Sequence, residues 1–301
     1  LSTYLRILSY SVLAFTLAFL INNIFTVWGG WPGIKKVFSH YDLFGYKQKS
    51  LESSDLTYGY IQILIYVVCI LSVIFYVFKT YTQTLVDDSE ILTKFSAYLI
   101  RGSFWAVFLV GIADFIISFM VVERLWEAIF SPEVKAFMVK APERITYIHF
   151  PIILVSFIIG YFTKSVGFIW LAVLVVLSEF VIVLSRFVFS YEQAFQGDLV
   201  RFWYAALYLF ASAYALIHEG HVRVDVLYSS FSEKKKAWTN MVGSALLGVP
   251  LCLIVLFLGL NGKASIINGP VVAFEVTQQG SNVLYLLYLM EVYLAVFAVT
   301  M

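Results

Sequence analysis

Eight apolar runs, most of them close to twenty residues, constrain this chain more than any other feature. A hydrocarbon core of about 30 Å takes about 20 helical residues, and every backbone polar group inside it has to be satisfied within the segment. The runs are Leu8 to Trp28, Tyr60 to Phe78, Tyr98 to Val122, Ile145 to Thr163, Val166 to Phe187, Phe202 to Ile217, Trp238 to Leu260 and Val283 to Met301. They predict an all-α polytopic membrane protein with about eight transmembrane helices. With 61% hydrophobic and 13% charged residues, the chain has too little polar surface to hide these runs in a soluble fold. Tryptophan placement agrees: Trp28, Trp31, Trp126, Trp170, Trp203 and Trp238 fall at or near the ends of runs, where the indole ring is buried and its N–H is wet.

Charge excludes several functions and leaves orientation open. Lys and Arg number 20 against 19 Asp and Glu, so no basic field for nucleic acid exists. With the connector Glu219 to Lys236 placed in the cytoplasm, eight basic residues fall inside and nine outside, which gives no positive-inside bias. Cys69 and Cys252 both lie in apolar runs, and a count of two excludes a disulfide framework or a cysteine metal site. The connector Glu123 to Arg144 mixes charges with Leu125, Trp126, Ile129, Phe130, Phe137 and Met138, the composition of an interfacial amphipathic helix. The chain opens without Met and stops inside an apolar run, the pattern expected of a fragment or of a fusion continuing past Met301.

Few residues offer chemistry. Charges within apolar runs cost about 2.5 to 3.5 kcal/mol on insertion scales and mark functional or partner-facing positions. Asp114 and Glu179 are the clear cases. Glu179 and Arg186 are seven apart, on one stripe of the fifth run with Ser178 and Ser185, which predicts a protein-facing surface. Asp114 has no counter-charge at helical spacing, so its partner is expected on another helix or another chain. His218, His221 and Asp225 have a helical spacing that three metal ligands could use, but the zinc-peptidase order H-E-x-x-H is absent. Phosphate loops, dinucleotide fingerprints and nucleophile elbows are absent as well. No cofactor is expected.

The second half carries a family pattern. Arg186-Phe187-Val188-Phe189, Asp198-Leu199-Val200-Arg201, the string Gly220-His221-Val222-Arg223-Val224-Asp225 and the basic stretch Glu233-Lys234-Lys235-Lys236 resemble the small membrane subunit (Q subunit) of tripartite ATP-independent periplasmic (TRAP) transporters. Tyr191 to Asp198 departs from it in being poorer in Trp and Glu. The resemblance implies a four-helix small-permease domain over residues 165–301, preceded by an extension of about four spans over residues 1–164. It implies no enzymatic activity. It further implies two partners, a large membrane subunit that carries substrate and Na⁺ and a periplasmic binding protein that delivers an organic anion such as a carboxylate. Glu179, Arg186, Asp198 and Arg201 would contact the large subunit, and His221, Arg223 and Asp225 would fix a cytoplasmic turn in the inner membrane of a bacterium or archaeon. Two other classes stay in view. One is an autonomous proton- or ion-coupled carrier using Asp114 and Glu179; the other is an intramembrane metalloenzyme built on His218, His221 and Asp225.

Overall fold

The computed structural model describes residues 2–46, 50–164, 168–191, 195–217, 228–276 and 284–301. All regular structure among them is helical: α1 (Ser2–Val27), α2 (Ile34–His40), α3 (Ser53–Lys79), α4 (Leu85–Val122), α5 (Trp126–Ile129), α6 (Pro132–Val139), α7 (Ala141–Phe162), α8 (Phe168–Val188), α9 (Gln196–Ile217), α10 (Glu233–Gly259), α11 (Asn268–Ala273) and α12 (Leu287–Thr300). Among the described residues, α1, α3, α4, α7, α8 and α10 are long and apolar enough to cross a membrane, so the chain is a polytopic membrane protein. The other two predicted spans differ for physical reasons. Helix α9 has 22 residues but carries Asp198 and Arg201 in its first turns, and α12 is a shorter apolar helix of 14 residues. The connector Glu123 to Arg144 folds into the short α5 and α6, with Leu125, Ile129 and Phe130 exposed.

Contacts divide the chain into two compact units. The first comprises residues 1–93 and 260–268. Its centre is an antiparallel pair, α1 against α3, shown by the ring contacts Tyr10–Tyr76 and Phe15–Tyr66. Polar side chains close both ends. Arg6 is 3% exposed and gives Nε to Asp88 Oδ2 at 2.5 Å and Nη1 to the Thr80 carbonyl at 2.7 Å. At the other end fully buried Gln62 donates to Thr26 Oγ1 and accepts the Gly33 N–H, both at 2.9 Å. Helix α2 lies on α3 where Gly59 leaves room, since a Cβ there would come within 2.2 Å of Val37 Cγ2.

The second unit comprises residues 94–259 and 269–301, organised around α4. Lipid tails are as apolar as leucine, so helices associate here through close packing and hydrogen bonds rather than through escape from water. The α4 sequence supplies both. Gly102 meets Gly160 of α7 so closely that a Cβ on Gly160 would sit 2.8 Å from the Gly102 amide nitrogen. Around this crossing Arg101 Nε donates to the Gly160 carbonyl at 3.2 Å, and Trp105 Nε1 to Thr163 Oγ1 at 2.8 Å. Further along, Gly111 accommodates Trp203 of α9, whose Nε1 donates to the Val107 carbonyl at 3.2 Å.

Two spans contain a π-helical turn, Ile145–His149 in α7 and Ser244–Gly248 in α10. Each stands just ahead of an X-Pro pair, Phe150-Pro151 and Val249-Pro250. Proline has no N–H, and its ring collides with the carbonyl four residues back. Widening the preceding turn relieves the collision: Phe150 N–H bonds the Ile145 carbonyl and Val249 N–H the Ser244 carbonyl, each five residues back.

Replacing Gly160 by Leu is expected to force α7 off α4 and lower stability by about 1 to 3 kcal/mol. Gly243→Ala, where a Cβ meets nothing within 4 Å, should be neutral or slightly stabilising. Thermal unfolding of the two purified variants in one detergent checks the contrast.

Candidate functional site

The densest polar cluster in the second unit forms around Asp114, which α4 places at 0% exposure. An acid of this kind stays ionised only with a cation and hydrogen-bond donors around it. Its counter-charge is Arg144, at the start of α7 and 2% exposed, whose Nη1 lies 2.8 Å from Asp114 Oδ1. The other carboxylate oxygen accepts the backbone N–H of Tyr285 at 2.7 Å, just ahead of α12. Arg144 is held in turn by Ser118 Oγ at 3.1 Å and by the Met138 carbonyl at 2.7 Å, and its guanidinium lies 3.9 Å from the Tyr285 ring centroid. His149 Nε2 is 3.2 Å from Asp114 Oδ1 without hydrogen-bond alignment, while its Nδ1 pairs with the Tyr288 hydroxyl at 3.1 Å. The cluster therefore ties α4, α7 and α12 together.

The π turn explains how one helix delivers both Arg144 and His149. Five residues of α-helix rotate a side chain by about 140° from its starting direction. A π turn takes roughly that many residues to come full circle, and Ile145–His149 is such a turn. Pro151 in the sequence thus positions two side chains upstream of itself.

The other predicted residues are placed differently. Glu179 is exposed on α8 and forms no hydrogen bond or ion pair among the described residues; Arg186 is exposed on the same helix. Asp198 is buried at the start of α9 and accepts Arg201 Nη1 at 3.3 Å, with the Arg201 side chain 59% exposed. No hydrogen bond or ion pair joins Asp114 to Glu179. His218, His221, Arg223 and Asp225 lie outside the described residues. Among those described, no three His, Cys, Asp or Glu side chains gather as a metal site would require. Sequence reasoning missed Arg144, which it counted as a connector charge, and His149 and Tyr288. The available signal was a lone intramembrane acid that needed a cation, with one arginine abutting the predicted fourth span.

Against known families, residues 173–301 match the model described as tripartite ATP-independent periplasmic transporters, DctQ component. The C-terminal part of this chain is a DctQ domain. The match covers somewhat under half of the sequence and runs from α8 to the last residue. No curated protein and no solved structure matches the chain. DctQ is a membrane component of a transporter and not an enzyme. Phe202, Trp203 and Tyr293 of the DctQ domain share one core with Phe104, Val107 and Val110 of α4, and Tyr285 and Tyr288 complete the Asp114 cluster.

Asp114→Asn should leave Arg144 as an uncompensated buried charge and cost about 3 to 5 kcal/mol. The double variant Asp114→Leu, Arg144→Met should recover much of that loss, because neither charge is stranded. Unfolding midpoints for Asp114→Leu, Arg144→Met and their double variant give the coupling.

Proposed function

We propose that this chain is the small permease subunit of a TRAP-type secondary importer, holding the large membrane subunit in the bilayer while that subunit moves substrate along an ion gradient. The observation that carries this reading is the DctQ match over residues 173–301. The wider scheme comes from the family resemblance. A periplasmic binding protein captures an organic anion such as a carboxylate, the large subunit transports it with Na⁺, and the assembly works in the cytoplasmic membrane of a bacterium or archaeon. Residues 165–301 supply the small-permease part. Residues 1–164 form an extension whose latter half, from residue 94, lies in the same compact unit as the DctQ helices.

The geometry supports a bracing role. A scaffold needs a rigid interior and an apolar exterior, with polar groups where it meets a partner. Asp114 is already engaged by Arg144 and the Tyr285 amide, so it serves the interior. Glu179 and Arg186 are exposed on α8 amid apolar neighbours such as Phe180, Val183 and Phe187, where a charge is costly against lipid. A large subunit covering that stripe would remove the cost. Arg201 extends outward from Asp198 in the same way. On the family resemblance, His221, Arg223 and Asp225, which lie outside the described residues, are assigned to a cytoplasmic turn.

Co-expression with a TRAP large subunit from the same genome should give a stable complex on purification through a tag on this chain, and liposomes containing this chain alone should show no uptake. Uptake by the chain alone would overturn the scaffold reading in favour of an autonomous carrier. Glu179→Leu and Arg186→Leu should each weaken copurification by roughly a few-fold to tenfold, as expected for an interface contact of about 1 kcal/mol. Asp225→Ala should reduce assembly or uptake while leaving the relative rates for competing anions unchanged; an altered preference would contradict a structural turn.

A further inference from the structure

A cavity of about 230 Å³ lies between α4, α8 and α9, and none of the polar residues of the Asp114 cluster lines it. Its walls include Phe115 of α4, Leu174 of α8 and Trp203 of α9. An apolar cavity of about 150 Å³ already accepts a benzene molecule, so this space is large enough for a ligand. Two features show what kind. Leu177 and Val181, on its outer wall, are 52% and 49% exposed on a helix long and apolar enough to span the membrane, so the space opens toward acyl chains. At the end nearest the α8–α9 connector, Gln196 lines the cavity, is 9% exposed and has no hydrogen-bond partner for Oε1 among the described residues. A buried amide oxygen without a partner costs about 1 to 3 kcal/mol, and a donor supplied by a ligand would remove that cost.

We propose that this cavity holds the apolar chain of a membrane amphiphile whose polar end carries a hydrogen-bond donor, a hydroxyl or an ammonium, directed at Gln196 Oε1. Leu174 sits several helical turns from the connector end of α8, so a chain anchored at Gln196 would run down α8 toward the bilayer interior. Two sources share this chemistry, a phospholipid headgroup and a free long-chain alcohol. The site does not depend on the transporter assignment.

The test uses the full chain in phosphatidylcholine nanodiscs, whose headgroup has no donor. Three photoreactive probes carry a diazirine in the chain: a phosphatidylethanolamine, a phosphatidylcholine and a long-chain primary alcohol. Cross-linked peptides are mapped by mass spectrometry. A donor-bearing probe should label the α8 and α9 cavity residues a few-fold to about tenfold more than the phosphatidylcholine probe, the range of one hydrogen bond. Gln196→Leu should abolish that preference, and Leu174→Trp, which fills the space, should lower labelling by every probe. Labelling by the phosphatidylethanolamine alone assigns the site to a lipid headgroup, and labelling by the alcohol alone assigns it to a free amphiphile. The proposal is overturned by equal labelling of the cavity and of the exposed Leu246 and Leu247 on α10, by a Leu174→Trp variant that labels as the wild type does, or by loss of the signal when a large subunit is bound. Failure of this chain to assemble with a large subunit would leave the labelling result unchanged, so the two readings fail separately.

Discussion

A carboxylate at zero exposure inside a membrane-spanning helix has to be answered, and in the second unit the answer decides which helices lie side by side. Asp114 offers two oxygens; Arg144 takes one from α7, and the Tyr285 amide takes the other from the segment leading into α12. At zero exposure Asp114 is reached by neither lipid nor water, so both partners have to come from the protein itself. Apolar contacts alone discriminate weakly between helix neighbours in a bilayer, since each helix packs about as well on tails as on another helix. The ion pair discriminates, and the glycine crossing of Gly102 and Gly160 then lets the same two helices approach closely.

Backbone irregularity contributes to the same end. Pro151 and Pro250 each deprive a span of one backbone donor, and each is preceded by a π-helical turn that absorbs the clash. In α7 the consequence is geometric, because the wide turn brings Arg144 and His149 toward the same acid. In α10 the corresponding turn contains only Ser244, Ala245, Leu246, Leu247 and Gly248, and Leu246 and Leu247 remain exposed. The same local cause thus gives a polar anchor in one helix and an apolar outward face in the other, and the side chains on the turn make the difference.

What could be read from the sequence follows from how local each signal is. Helices α1, α3, α4, α7, α8 and α10 were legible because length and hydropathy are properties of a single segment. The status of α9 and α12 was less so, since the helix of one extends back from its short run over Asp198 and Arg201, and the other forms a helix of only 14 residues. The Asp114–Arg144 pair joins residues 30 apart on different helices, and no periodicity links them. Arg144 also looked like a loop charge because the apolar run begins at Ile145, whereas the helix begins at Ala141 with Pro142 in its first turn. Arg6, also near the end of a span, is likewise buried, against Asp88. A charge tally treats every basic residue near a span end as solvated, and here two of them hold helices together.

The DctQ match begins at residue 173, but the compact unit that holds most of it begins at residue 94. Phe202 and Tyr293 pack in one core with Phe104 and Val110, and Tyr285 donates its amide to Asp114. Helix α4 buries Trp203 against Gly111 and satisfies its indole N–H with the Val107 carbonyl. With its ion pair to Arg144, its glycine crossing with α7 and the indole hydrogen bond from Trp203, this long central helix is tied to its neighbours at three levels, which stiffens the unit as a whole.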